Sequence, residues 1–209
     1  MTKYQKIFYD IKTTRDYKTV GDDVDYKVIV DDENREVILQ FEESDSRADW
    51  RNNLRFIPWI INLGGHKVIT THGYAKAYES TDYEHIRDFI SAIIEHKGYR
   101  EVIRGWSFGS AMAKLTIRHL YYIRGKGVDE EDTYGDVKCF LNPFAYIHAD
   151  KWARVRNEFV CINDFVTWCV PFYSRTARKR VGGKFSLKRI LHTEYEHTHY
   201  EEFDYSEYE

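Results

Sequence analysis

The most constraining stretch of the sequence is a corner at residues 105–109, where a serine lies between two glycines. The strand-like run EVIR (101–104) leads into Gly105-Trp106-Ser107-Phe108-Gly109, and a helix-like segment follows. A serine on such a strained turn needs very small residues two positions before and after it. The helix behind it directs N–H groups towards the site, which favours a developing oxyanion. This pattern indicates a nucleophile, Ser107; the alternative is a glycine-rich turn with a capping serine.

The segments around this corner alternate between strand and helix patterns. Strands are predicted at 25–30, 36–41, 66–73, 101–104, 136–143 and 158–164, with a further candidate at 185–187, and helices in the first twenty residues and at 84–98, 108–124 and 149–157. The turn residues DDENR between the first two strands predict a hairpin. The alternation predicts an α/β fold with a mostly parallel sheet, which the hairpin makes mixed, flanked by helices.

Composition and charge exclude several classes of protein. The 209 residues suit one domain with a hydrophobic core, predicted over 1–209, with an acidic and aromatic tail at 190–209. The net charge of −3 is too near neutral to predict nucleic acid as a partner. The three cysteines (Cys139, Cys161 and Cys169) have no regular spacing, which argues against a disulfide framework and against a zinc site.

No targeting or membrane-spanning segment is predicted. The N-terminal segment is polar, and no run of about 18 apolar residues occurs in the chain. These features predict a cytoplasmic, reducing location. A short chain of this kind is also typical of a virus-encoded protein.

Further motifs lie upstream and downstream of the corner, in a fixed order. Upstream, LQFEESDSRADWRNNLRF (39–56) contains Asp-Trp and Asn-Leu pairs, and TTHGYAKAYES (70–80) contains His-Gly-Tyr. Downstream, VKCFLNPFAYIHADKW (137–152) contains a strand with a proline turn, and EFVCINDFVTWCVP (158–171) contains an apolar run followed by Asn-Asp and a proline. Over about residues 25–171 this arrangement resembles the fungal-type (class 3) lipases of the α/β-hydrolase superfamily.

The resemblance implies the residues of the active site. The Asp of the Asn-Asp motif, Asp164, would be the triad acid. Ser44 would supply the first oxyanion-hole N–H, joined by the N–H of Phe108. Two positions depart from the family pattern: Glu42-Glu43 replace its Arg-Gly, and Ser110 stands where many members have glycine. Carboxylates pointing into the oxyanion hole would disfavour a negative transition state, whereas carboxylates pointing to solvent would matter little.

The base follows the acid in the chain order of α/β-hydrolases, which leaves three histidines as candidates. These are His192, His197 and His199. In the family a tyrosine often follows the histidine closely, a pattern that His192 and His197 both fit. We prefer His197 because it leaves a longer segment after Asp164, which the chain needs to return to the edge of the sheet.

Together these residues predict a serine esterase or lipase that cleaves lipid or acyl esters through an acyl-enzyme on Ser107, without a metal or organic cofactor. The apolar segment 55–65 is either a flap over the acyl groove or part of the core. The basic run 175–189 either contacts anionic lipid headgroups peripherally or pairs with the acidic tail. A hydrolase-fold binding protein without turnover is the alternative function. The sequence leaves open the headgroup, the acyl length and the oligomeric state.

Overall fold

A computed structural model describes residues 1–42, 57–141, 149–168, 173–174, 179–191 and 193–209. In chain order the elements are α1 (Lys3–Thr13), β1 (Lys18–Val20), β2 (Val24–Asp31), β3 (Glu36–Phe41), β4 (Pro58–Leu63), β5 (His66–Thr71), α2 (His72–Ser80), α3 (Glu84–Glu95), β6 (Arg100–Trp106), α4 (Phe108–Arg124), β7 (Val128–Tyr134), β8 (Phe140–Leu141), α5 (Ala149–Trp152), β9 (Ala153–Cys161), β10 (Tyr173–Ser174), β11 (Lys179–Val181), α6 (Leu187–Ile190) and α7 (Thr193–Thr198). Short 3-10 turns occupy Phe165–Trp168 and Tyr200–Glu202. No helix in the described ranges combines the length and apolar character that crossing a bilayer requires.

A seven-stranded sheet in the order β1-β2-β3-β6-β7-β9-β11 forms the centre of the fold. The first three strands are antiparallel, and Ile29 of β2 faces Ile38 of β3 in the predicted hairpin. From β3 to β11 every neighbouring pair is parallel, so the carboxyl ends of these strands lie at one edge. The mixed, mostly parallel sheet with flanking helices confirms the predicted α/β fold class.

Hydrophobic clusters pack on the two faces of this sheet. Ile103 and Trp106 are three residues apart on β6, so their side chains point to opposite faces. Ile103 belongs to a cluster that includes the buried faces of α2, α3 and α4. Trp106 belongs to a second cluster with α1 and with the aromatic C-terminal residues Tyr200, Phe203 and Tyr205. The C-terminal tail is therefore a packed part of the fold.

The strand β7 is a central strand that the sequence patterns missed, because its sequence is VDEEDTY. Three of its four carboxylates, those of Glu130, Glu131 and Asp132, are buried, and each meets a cation from another element. Glu131 lies 3.2 Å from Arg156 of β9, and Asp132 lies 3.2 Å from Arg104 of β6. Burial raises the pKa of Glu131 to about 7. Ion pairs across the sheet thus replace the apolar side chains that a central parallel strand usually carries.

Three further predictions of local structure were wrong. The segment predicted as a strand at 136–143 contains only the two-residue strand β8 in its described part. The helix predicted at 149–157 ends at Trp152, and the residues after it belong to β9. The segment predicted as a strand at 185–187 instead leads into α6, which begins at Leu187, and the edge strand β11 lies upstream of it.

The described part of the predicted flap is a strand of a second sheet. Residues 58–63 form β4, which pairs with β5 in an antiparallel four-stranded sheet. Ile61 and Leu63 are buried in the core, whereas Trp59 and Ile60 are exposed. Residues 55 and 56 lie outside the described ranges. Part of the segment thus contributes to the core and part is exposed, so neither of the two interpretations describes the whole of it.

His85 in α3 is a buried titratable group with unusual surroundings. Its ring packs against the rings of Tyr26, Phe41 and Tyr78. Neither ring nitrogen has a hydrogen-bond partner among the described residues. Burial lowers the pKa of His85 to about 3, so the ring is neutral in the folded protein.

Candidate active site

Ser107 occupies the tight corner between β6 and α4 that the sequence predicts. Its backbone has φ 54° and ψ −118°, a conformation that costs a non-glycine residue about 1–3 kcal/mol. A Cβ on Gly105 would lie 2.3 Å from the carbonyl oxygen of Gly109, and a Cβ on Gly109 would lie 2.7 Å from that of Glu42. The two glycines are therefore required by close backbone approaches. The strained corner holds the Ser107 hydroxyl at the carboxyl edge of the sheet.

Three side chains from distant parts of the chain meet at this corner in one hydrogen-bonded row. His197 Nε2 lies 2.7 Å from Ser107 Oγ, and His197 Nδ1 lies 2.6 Å from Asp164 Oδ2. Because a carboxylate only accepts hydrogen bonds, Nδ1 carries the proton and Nε2 is left to accept the serine proton. All three side chains are at least 96% buried, with exposures of 4%, 0% and 2% for Ser107, Asp164 and His197. This arrangement is able to activate a serine for acyl transfer.

The Asp164 carboxylate accepts two further hydrogen bonds that fix its orientation. Oδ2 accepts from the hydroxyl of Tyr200 at 3.0 Å, and Oδ1 accepts from the Val166 N–H at 3.0 Å. The Tyr200 hydroxyl itself accepts from the buried N–H of Cys161 at 2.8 Å. Burial, followed by the charge of Asp164, raises the pKa of Tyr200 well above its ordinary value, so the hydroxyl keeps its proton.

Trp106 and Gly135 hold the His197 residue from the other side. The indole N–H of Trp106 donates to the backbone carbonyl of His197 at 3.1 Å. Gly135, at the end of β7, has φ +55°, and a Cβ there would lie 2.9 Å from Cε1 of the His197 ring. The imidazole therefore lies directly over a glycine backbone, a position that no larger residue fits without moving the ring.

The predicted oxyanion hole is described in part. Phe108 is the first residue of α4, where N–H groups have no intrahelical acceptor. The backbone of Phe41 and Glu42 touches Gly109, which brings the end of β3 against the turn. Ser44 and Glu43 lie outside the described residues. Burial raises the pKa of Tyr17 to about 12, and the charge of Glu42 adds to the rise.

The structure brings together Ser107, Asp164 and the preferred base, His197. Of the other candidate bases, His199 stacks on Tyr195 and contacts its carbonyl oxygen, whereas His192 lies outside the described residues. Sequence reasoning noted that a tyrosine follows His197 closely, which is Tyr200, but gave it no role. It missed Gly135 altogether, since a glycine ending an unrecognised strand carries no local signal.

Comparison with known proteins identifies the family. The family model for Lipase (class 3) matches residues 38–173, which is more than half of the chain. The chain belongs to the class 3 lipase family. This class 3 lipase has no significant match among curated protein sequences.

Solved lipase structures share the fold. A fungal lipase–inhibitor complex, described as a model for interfacial activation, superposes with a TM-score of 0.72 at 17% identity, covering 86% of this chain and 77% of that chain. The triacylglyceride lipase of Rhizomucor miehei gives 0.64 at 20% identity, covering 75% and 60%. A triacylglycerol lipase with a serine protease triad as its catalytic centre gives 0.61 at 20% identity, covering 75% and 58%. This class 3 lipase thus spans about three-fifths of the length of the last two.

Family membership gives the enzyme class. The protein is a serine ester hydrolase of the lipase type. The alternative of a hydrolase-fold binding protein without turnover is not favoured, since the Ser107–His197–Asp164 row is intact in the structure.

Proposed function

We propose that this class 3 lipase hydrolyses carboxylic esters of lipids through an acyl-enzyme on Ser107. The observation that carries the proposal is the row of two hydrogen bonds, 2.7 and 2.6 Å long, from Ser107 through His197 to Asp164. Support comes from the fungal lipases that share the fold, one of which is a triacylglyceride lipase.

The reaction follows from the roles of the three side chains. Ser107 Oγ attacks the ester carbonyl carbon while its proton moves to His197 Nε2. The N–H of Phe108, with that of Ser44 as the predicted second donor, holds the tetrahedral oxygen. The ester C–O bond then breaks, and the alcohol leaves with the proton from His197. Water attacks the acyl-serine with His197 as base, which releases the carboxylic acid and regenerates the Ser107 hydroxyl.

The apolar side chains beside the serine are packed against the protein. Trp106 contacts Phe8, with ring centroids 5.3 Å apart, and Phe108 contacts Tyr74 at 6.0 Å. Both are more than 90% buried. This arrangement indicates that the two side chains support the turn from below.

The test is hydrolysis of p-nitrophenyl esters of short, middle and long acyl chains. Ser107→Ala is expected to lose about 10⁴- to 10⁶-fold in kcat, because the covalent route disappears. Ser91→Ala, on an exposed position of α3, is the matched control and keeps the wild-type rate. The chain-length optimum distinguishes a lipase from an esterase.

A fluorophosphonate probe gives a second readout that does not depend on the ester chosen. Labelling of Ser107 requires an activated hydroxyl, so it is expected in the wild type and absent in Ser107→Ala. A wild-type protein that neither hydrolyses any ester nor takes up the probe would instead be a binding protein on a hydrolase fold.

The cellular location stays a prediction. Cys139 and Cys161 are free thiols buried in the core, an arrangement compatible with the reducing, cytoplasmic compartment predicted from the sequence.

A further inference from the structure

Residues 180–191 and Phe165 form a surface that the catalytic chemistry does not use; we call it the docking face. It lies next to Asp164, because Phe165 directly follows the triad acid and α6 packs against α7, which carries His197. Its two components are exposed apolar side chains and unpaired cations.

Four large apolar side chains of the docking face are open to solvent. Leu187 and Leu191 are 73% and 84% exposed, and they project from the same side of α6 because they are four residues apart. Phe165 and Phe185 are 53% and 58% exposed and line the mouth of a cavity of about 200 Å³ whose floor includes Ile162 and Ile190. Single exposed apolar residues are ordinary, whereas a cluster around an apolar cleft marks a binding surface.

The cations of the docking face outnumber the acids. Residues 179–191 contain Lys179, Arg180, Lys184, Lys188 and Arg189 and no Asp or Glu. Of the three exposed ones, Arg180, Lys184 and Lys188, none forms an ion pair within the described part of the chain. Lys188 directly follows Leu187 in the chain, and Lys184 directly precedes Phe185. Positive charge and apolar side chains therefore share one small surface.

The acidic tail does not neutralise this surface. Among the described residues of the basic run, Arg189 alone forms an ion pair with the tail, through two contacts of 2.6 Å to the Glu196 carboxylate. Other tail carboxylates turn towards α1: Glu201 lies 2.6 Å from Lys12, and Glu209 accepts from the backbone N–H of Lys3. The prediction that the basic run pairs with the acidic tail therefore holds for Arg189 and leaves Arg180, Lys184 and Lys188 open.

Two links tie the docking face to the catalytic residues. Asn163, which precedes Asp164, accepts from the N–H of Ser186 at 2.8 Å and donates to the carbonyl of Lys184 at 3.3 Å. Glu196, which precedes His197, holds Arg189 of α6. Asn163 and Glu196 thus anchor the docking face, so its position relative to Asp164 and His197 is fixed.

We propose that the docking face binds the enzyme to the surface of an anionic phospholipid bilayer, with Leu187, Leu191 and Phe185 entering the headgroup region and Lys184 and Lys188 contacting phosphate or carboxylate groups. The proposal extends the proposed function, since a lipid ester hydrolase works where its substrate is presented. Charge complementarity selects the anionic surface, because exposed lysines attract acidic lipids and gain nothing from neutral ones. The apolar side chains add the short-range part of the binding.

The test measures co-sedimentation of the Ser107→Ala protein with vesicles, so that no lipid is consumed. Phosphatidylcholine vesicles are compared with vesicles in which about a third of the lipid is phosphatidylserine. Binding is expected on the anionic vesicles only and is expected to weaken as salt is added. Lys184→Gln/Lys188→Gln should weaken it about 25-fold, about fivefold for each lysine. Leu187→Ser/Leu191→Ser should weaken it at least tenfold at any salt concentration.

Matched controls distinguish binding through the docking face from binding through lysines or exposed apolar side chains elsewhere on the protein. Lys67→Gln/Lys97→Gln removes two exposed lysines elsewhere, and Ile94→Ser removes a side chain that is 73% exposed on α3. Both controls should bind as the parent does. Equal binding to neutral and anionic vesicles, or equal losses in controls and docking-face variants, would overturn the proposal.

Failure of membrane docking can be told apart from failure of the proposed ester hydrolysis. The same substitutions with Ser107 present should hydrolyse a water-soluble ester at the wild-type rate, which also shows that they fold. Vesicle binding without ester hydrolysis in the wild type would refute the proposed function and leave docking standing. Hydrolysis without selective vesicle binding would refute docking alone.

Discussion

The glycine under the catalytic imidazole offers the sharpest test of the site geometry. Gly135→Ala places a methyl group 2.9 Å from Cε1 and 3.3 Å from Nδ1 of His197. Carbon atoms in contact prefer separations of about 3.5–4.0 Å, so the ring must shift by about 0.6–1 Å. The ring is held by hydrogen bonds of 2.7 Å to Ser107 and 2.6 Å to Asp164, and such a shift breaks the alignment of both. A misplacement of this size lowers kcat about 100-fold, which corresponds to ~2.7 kcal/mol.

The same substitution strains the backbone, and a control removes that contribution. Gly135 has φ +55°, and an alanine in this left-handed region costs about 1–2 kcal/mol of stability. Gly125, at the end of α4, has φ +68° with no atom within 4 Å of an added Cβ. Gly125→Ala therefore introduces the same backbone strain without a steric contact to the His197 ring.

The assay is steady-state hydrolysis of a p-nitrophenyl ester, with thermal unfolding measured in parallel. Both alanine variants should lose similar stability, whereas only Gly135→Ala should lose kcat, with KM little changed. The rate of fluorophosphonate labelling should fall together with kcat. If Gly135→Ala retains kcat within about threefold of Gly125→Ala, the imidazole does not depend on this glycine and the reasoning fails.

Two further predictions concern buried polar groups. Tyr200→Phe removes a donor to the Asp164 carboxylate and leaves the Cys161 N–H without an acceptor. We therefore expect kcat to fall about tenfold and the free energy of unfolding to fall by about 1–3 kcal/mol. Unchanged values of both would exclude the role given to this hydroxyl. The pKa of His85 is lowered to about 3 in the folded protein, whereas its ordinary value in an unfolded chain is about 6.5. The unfolded state therefore takes up a proton first, and the free energy of unfolding falls as the pH falls from about 6.5 towards 3. Urea unfolding at pH 7 and pH 5 should show the wild type losing about 2 kcal/mol relative to His85→Leu, and parallel losses in the two proteins would argue against this assignment.

Local patterns predicted the parts of the fold whose causes are local. The hairpin of β2 and β3 follows from alternating apolar residues around a turn of Asp and Asn, and helix α4 follows from its apolar periodicity and the glycine after it. The Ser107 corner was predicted for the same reason, since its two glycines lie within five residues. Asp164 and His197 required the resemblance to a family, because their roles depend on contacts across 33 and 90 residues of chain.

The features that local patterns missed depend on distant partners. The strand β7 carries four acidic residues, and three of them are buried with cations that come from other elements, Lys3, Arg104 and Arg156. A window of sequence around 128–134 contains none of these cations. The role of Gly135 depends in the same way on a ring that enters the site 62 residues later.

The charged central strand also has a consequence for assembly of the sheet. A hydrophobic strand pairs with almost any neighbour, so a slipped register or a second chain is tolerated until late in folding. The carboxylates of β7 allow only the arrangement in which Arg104 and Arg156 arrive on its two sides, since one unpaired buried carboxylate costs about 3–5 kcal/mol. The strand therefore disfavours a misregistered sheet, and it also disfavours pairing with the same strand of another copy of the chain. Folding yield and resistance to aggregation in this enzyme should therefore depend on the ion pairs of β7 with Arg104 and Arg156.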